Sequence, residues 1–152
     1  MKLQLYYPVR LWANFQPFGA CHPDVCAIYK GLGLLGHNGI DAFAKHGQVV
    51  RAAHDGTVTF AGEDDSAGYG VVVRTNEKFE YNNTTAYYKT IYWHLQKDGI
   101  KVVPGQKVKT GDVLGLADNT GLSTGDHLHF GLKPVYKGEN DWQWTNAEQN
   151  NG

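Results

Sequence analysis

Short β-branched and aromatic runs recur along this chain, each closed by glycine, proline or a short polar turn, and the pattern predicts many short strands. Residues 48–53 and 57–61 flank Asp55-Gly56, a strong two-residue hairpin signal. Residues 71–74 and 90–95 read as strands that bracket the polar stretch NEKFEYNNTTAYYK, which reads as a hairpin extension. The stretch VVPGQKVKTGDVLG predicts two short strands broken at Pro104-Gly105 and at Thr110-Gly111-Asp112, and a last strand, 127–132, ends before Pro134. No apolar stripe of helical period extends over a useful length. The expected fold is all-β, an antiparallel β-sandwich or partly open barrel. A loop-rich segment covers 1–35 and a core 36–137. In the polar tail, 138–152, Trp142 and Trp144 suggest packing.

The stretch GLGLLGHNGID (31–41) contains Gly-x-Gly-x-x-Gly, the pattern of a dinucleotide-binding loop. Such a loop leaves a buried strand and opens a helix toward a pyrophosphate. Here the preceding CHPDVCAIYK carries Pro23 and two cysteines and reads as a loop. Another glycine, Gly39, follows where a helix would have to strengthen. The nucleotide reading fails, and the glycines are left to make room for His37 and Asp41.

Bulk properties narrow the partners. The 152 residues suit one domain; the formal charge is −1 and the 14 Lys and Arg are scattered. A nucleic acid would select a clustered basic stripe, so none is expected as a partner. No apolar run approaches membrane-spanning length, which predicts no membrane insertion. The start, MKLQLYYPVR, has too short an apolar stretch for a secretory signal. The early ending suggests a domain cut from a longer polypeptide. Cys21 and Cys26 are the only cysteines, too few for a structural zinc site without histidines. A local disulfide is the favoured reading, with two reduced thiols as the alternative.

The chemistry lies in the histidines. In HLHF (127–130), strand alternation sends Leu128 and Phe130 to one face and both His127 and His129 to the other, about 7 Å apart by backbone rise. Both rings could hold one metal, or one could hold it while the other reaches the water beside it. His37 and Asp41 offer a nitrogen and a carboxylate, ordinary zinc donors. His94, in YWHLQ, is placed by alternation on the face opposite Trp93 and Leu95. A catalytic zinc centre takes three protein ligands and leaves one position open. Five candidates therefore leave two imidazoles for acid–base work, and the residues alone do not say which two. His22, His46 and His54 read as solvated.

At this point the sequence resembles the lysostaphin/LytM-type zinc metallopeptidases that cut peptidoglycan peptides. The matching stretches are GHNGID (36–41), VVRAAHDGTVTFAG (49–62), GYG (68–70), YWHL (92–95), PGQKVKTGDVLG (104–115) and TGLSTGDHLHFGL (120–132). The resemblance implies an antiparallel β fold with a groove floored by one zinc ion. It implies His37, Asp41 and His129 as metal ligands, with His94 and His127 as catalytic histidines. It implies a monomeric catalytic domain acting on peptidoglycan peptides at the bacterial cell wall, on its own or within a larger protein or a phage particle. Asp126 stands where many members have Pro, and Gly131 where an acidic residue is common. Some members carry a groove tyrosine just before the first zinc histidine, and Tyr29 is near that place but out of register. D-Ala–diaminopimelate, D-Ala–Gly and Gly–Gly bonds all remain open. Two other readings compete: a non-catalytic member that binds or activates at the wall, and a lipoyl- or biotinyl-like carrier suggested by GQKVKTGDVLG. The first normally lacks a ligand that this chain keeps, and the second leaves the histidines unexplained.

Overall fold

Antiparallel pairing organises the chain into one large sheet and a two-stranded ribbon. The computed structural model describes residues 1–135; Trp142, Trp144 and the rest of the polar tail lie outside the described residues. In chain order the elements are β1 (Asn14–Gln16), α1 (Pro23–Gly31), β2 (Ile40–Phe43), β3 (Val49–Arg51), β4 (Gly56–Asp64) and β5 (Gly68–Arg74). There follow β6 (Phe79–Tyr81), β7 (Thr84–Leu95), β8 (Lys107–Val108), β9 (Val113–Leu116) and β10 (His127–Val135). The large sheet runs β1-β2-β10-β7-β5-β4-β8, with β6 paired to β7, and the ribbon is β3-β9. No helix among the described residues is long and apolar enough to cross a membrane.

The main core lies between sheet and ribbon. Leu128 and Phe130 of β10, Tyr92 of β7 and Val71 and Val73 of β5 meet Val50 of β3 and Leu114 of β9 there. These residues lie two apart along their strands, as burying one face of a pleated sheet requires. The opposite face of β10 carries His127 and His129, so packing Leu128 and Phe130 inward is what turns the two imidazoles outward together. Asn82 and Asn83, at φ 47° and 60°, make the two-residue turn between β6 and β7, the left-handed geometry that such hairpins favour.

Several expectations need correction. The segment read as a loop holds helix α1. Pro23, taken as a breaker, sits in the first turn, where its missing N–H costs nothing. His22 caps the helix by accepting from the Asp24 N–H, and Gly33 ends it at φ 77°. Asp55-Gly56 turns no hairpin: β3 pairs with β9, while β4 pairs with β5 and β8. Asp55 instead accepts from the Thr110 N–H and hydroxyl and from Lys109 Nζ, tying this crossing to the Thr110-Gly111 turn. β10 continues through Pro134 to Val135, because β2 pairs with it only as far as Phe130 and, among the described residues, no strand pairs with that side of β10 at the proline. His54 is not solvated but 4% exposed. Its Nδ1 donates to the Asp55 carbonyl and its Nε2 accepts from Thr90 Oγ1; that oxygen lies 2.9 Å from the Tyr92 hydroxyl, which accepts the Ala53 N–H.

Candidate metal centre and groove

Register across β2 and β10 sets the first part of the site. Asp41 and His129 are direct cross-strand partners, and His37 stands at the approach to β2. His37 Nε2, Asp41 Oδ1 and His129 Nδ1 form a triangle with sides of 3.0, 3.0 and 3.1 Å. Three donors bonded to one tetrahedral zinc at its usual bond lengths would stand about 3.3–3.4 Å apart, so a small outward relaxation would admit the ion. All three side chains are buried. Two imidazole nitrogens and a carboxylate oxygen, converging on one point, are a donor set suited to zinc. His37 Nδ1 lies 3.1 Å from the Pro17 carbonyl. A carbonyl can only accept, so that nitrogen carries the proton and Nε2 presents its lone pair inward.

His37 is held by the backbone on both sides as well. Its N–H donates to the Ala20 carbonyl and its carbonyl accepts the Gly19 N–H. A Cβ on Gly36 would stand 2.8 Å from the Gly19 carbonyl oxygen, so only glycine permits this approach. The glycines of GLGLLGHNG include one that does clear space beside the histidine.

Two further imidazoles flank the triangle. The rings of His94 and His127 are 4.6 Å apart, and that of His94 is 5.9 Å from that of His129. His94 does not follow simple alternation. At φ 67° it is a left-handed residue at the register shift where Tyr69 faces Leu95 and Gly70 faces Trp93. The extra residue reverses parity, so Leu95 joins the core with Tyr92 while Trp93 and His94 both line the groove. His94 Nδ1 donates to the Thr120 carbonyl at 2.7 Å, and His127 Nδ1 to the Gly125 carbonyl at 2.7 Å. Each therefore keeps Nε2 as its basic nitrogen, and that of His127 lies 3.5 Å from Asp41 Oδ1.

The electrostatics separate the two rings. Burial pushes the His94 imidazole down to about 4, with the neighbouring His129 and His127 adding to the shift. Burial also opposes protonation of His127, but the hydrogen bond to Asp41 and the Gly125 carbonyl outweigh it and hold it above the ordinary value. For Asp41, burial favours the neutral acid, yet hydrogen bonds from His127, His129 and His37 keep the carboxyl far below the usual carboxylate range. One ring is poised neutral and the other is ready to hold a proton beside a carboxylate.

Around these groups lies a groove of about 540 Å³. Tyr29, from α1, reaches it with its ring 5.7 Å from that of His37, and its hydroxyl accepts from Gln16 Nε2. Cys21 and Cys26 are disulfide-bonded at the start of α1, Cα atoms 4.6 Å apart. His22 and His46 stay at the surface, the latter paired with Asp118 at 2.9 Å. Sequence reasoning missed the backbone carbonyls of Pro17, Thr120 and Gly125, which no side-chain pattern reveals. It also missed the α1 wall, whose signal was the spacing of Val25, Ile28, Tyr29 and Leu32.

Residues 35–142 match the sequence profile of Peptidase family M23. The chain belongs to this family. A zinc-containing peptidase from Vibrio cholerae superposes with a TM-score of 0.66 at 32% identity, over 88% of this chain and 39% of that one. The peptidoglycan DD-endopeptidase ShyA of Vibrio cholerae is 37% identical over 130 residues, covering 83% of this M23 chain and 26% of the relative. The glycyl-glycine endopeptidase ALE-1 of Staphylococcus capitis is 35% identical over 101 residues, covering 65% and 25%. The chain thus spans about a quarter of the length of these two curated relatives.

Proposed function

We propose that residues 36–137 form the catalytic core of a zinc-dependent endopeptidase that hydrolyses peptide bonds of bacterial peptidoglycan and works as a monomer at the cell wall. His37, Asp41 and His129 hold the ion; His127 and His94 carry the acid–base and orienting work. The observation that carries this reading is the convergence of three buried donor atoms within 3.1 Å of one another, with two more imidazoles at their side. The names of the relatives, a DD-endopeptidase and a glycyl-glycine endopeptidase, support the substrate class.

When bound, zinc supplies a Lewis acid that polarises a scissile carbonyl and makes water acidic enough to ionise near neutrality. His127, its Nδ1 committed to the Gly125 carbonyl, takes a proton at Nε2 and returns it to the leaving amine. Asp41 beside it favours the charged form while the proton is held. His94, kept neutral by burial and fixed through its Nδ1–H by the Thr120 carbonyl, orients the attacking water by accepting from it at Nε2. The fold excludes water from the ligand side, where His37, Asp41 and His129 are all buried.

Purified protein is expected to carry about one zinc per chain and to release new amino termini from isolated cell walls. Elemental analysis that finds no transition metal, even after zinc is added back, would remove the reading.

A further inference from the structure

The connection between β9 and β10 grips His94 at two points. The Asp118 N–H donates to the His94 carbonyl at 3.0 Å, and the Thr120 carbonyl accepts the His94 Nδ1–H at 2.7 Å. Backbone and ring of this left-handed residue are thus held by one short segment. That segment needs an anchor of its own, because Asn119 is exposed and Thr120 lies in no strand. The Thr120 side chain supplies it. Its hydroxyl accepts the Tyr69 N–H of β5 at 3.1 Å and donates to the Leu95 carbonyl of β7 at 2.6 Å. Tyr69 and Leu95 are cross-strand partners at the edge of the register shift that contains His94. One oxygen therefore bridges the two strands where the extra residue interrupts their ladder. Behind it the segment is pressed against the turn between β4 and β5. The Leu122 N–H donates to the Ser66 carbonyl at 2.8 Å, and a Cβ on Gly121 would stand 2.3 Å from the Gly68 nitrogen.

We infer that Thr120 is a positioning residue for His94: its hydroxyl pins the carbonyl that fixes the Nδ1 side of the ring, and so aims Nε2 at the attacking water. This rests on the orienting role proposed above for His94. Threonine performs both tasks because side chain and carbonyl share one Cα. Valine has the same shape but can neither donate nor accept through its side chain. With valine the Tyr69 N–H and the Leu95 carbonyl lose their shared partner, and the carbonyl of residue 120 is released from the register shift. A displacement of about 1 Å in a group that orients the reaction costs roughly 10²-fold in rate.

The test compares Thr120→Val and Thr120→Ser, each alone and combined with His94→Ala. It measures zinc content, the wall-digestion rate and, where His94 is present, its Nδ1–H proton resonance in zinc-loaded protein. Thr120→Val is expected to keep zinc, to lose roughly 10²-fold in rate and to lose the resonance to solvent exchange. Thr120→Ser should restore both, since it keeps the hydroxyl. Added to His94→Ala, the valine substitution should cost nothing further of the residual rate, because its effect passes through the missing ring. A merely structural role would cost rate in both backgrounds. That outcome, or a Thr120→Val protein that keeps either the wild-type rate or the resonance, overturns the inference. Thr120→Ala removes the same hydroxyl and takes the place of Thr120→Val if the latter does not fold. The resonance also separates the two readings. If it depends on the hydroxyl while wild type releases no new amino termini from walls, the endopeptidase reading alone fails; if it is indifferent to the hydroxyl, the positioning role fails.

Discussion

Gly39 faces the imidazole of His129: a Cβ built on it would stand 2.6 Å from Nε2 and 2.6 Å from the carbonyl oxygen of Phe130. The flat backbone at residue 39 is therefore the surface on which a proposed ligand ring rests. Gly39→Ala must push the ring, or the β10 backbone that carries it, away from Asp41. Zinc affinity is expected to fall by roughly 10–100-fold, as when a group that orients a metal ligand is disturbed. Gly31→Ala, with open space at its Cβ, serves as control and should bind zinc as wild type does. Chelator competition measures both; equal affinities for the two variants would defeat the account.

His127 and His129 leave the same face of one strand, so the division of labour between them can be tested directly. Asp41→Ala and His129→Ala should lose zinc and hydrolysis together. His127→Ala should keep zinc and lose roughly 10²–10⁴ in rate, and His94→Ala should also keep zinc while losing rate. Zinc content and wall-digestion rate, measured in parallel, decide it. Zinc lost from His127→Ala but retained by His129→Ala would invert the assignment.

The Cys21–Cys26 bond closes a short loop, with a sequence separation of 5. Chain-entropy arithmetic for so short a loop gives about 2 kcal/mol, or a drop of roughly 5 °C in Tm for a domain of this size. Reduction is expected to cause that modest shift and to leave zinc bound, since neither sulfur belongs to the donor triangle. Zinc release on reduction would place the cysteines in the metal site instead.

The buried chain His54–Thr90–Tyr92 predicts a pH dependence away from the groove. Burial pushes the His54 imidazole below its ordinary 6.5, with the Asp55 carbonyl opposing only in part. The folded state then binds fewer protons than the unfolded chain just below pH 6.5, so stability present above that value is lost as pH falls toward the depressed folded value. The slope from this group is at most about 1.4 kcal/mol per pH unit. Thermal melts from pH 7 to pH 5 should show Tm falling in wild type and falling less in His54→Gln. A variant with the wild-type slope would show that other groups carry the effect.

Local pattern determined a great deal here. β-branched runs with turns between them dictate strands, and strand periodicity alone puts His127 and His129 on one face once Leu128 and Phe130 are buried. The donor types in HNGID and HLH were visible as chemistry before any fold was known. What local pattern could not contain was partnership. Asp55-Gly56 has the composition of a hairpin turn, yet β3 finds β9 and β4 finds β5, because pairing is decided by where each apolar face can be buried. Pro23 has the composition of a breaker, yet a proline at the start of a helix breaks nothing.

The site itself divides the same way. Which residues could bind a metal is a property of side chains, and the sequence by itself determines it. That Asp41 meets His129 depends on the register of two strands 88 residues apart, and that His94 turns toward them depends on one backbone torsion, φ 67°, at a register shift. A strand's period of two carries no record of an inserted residue that reverses it, so the face of His94 was settled only when β5 and β7 paired around the extra residue.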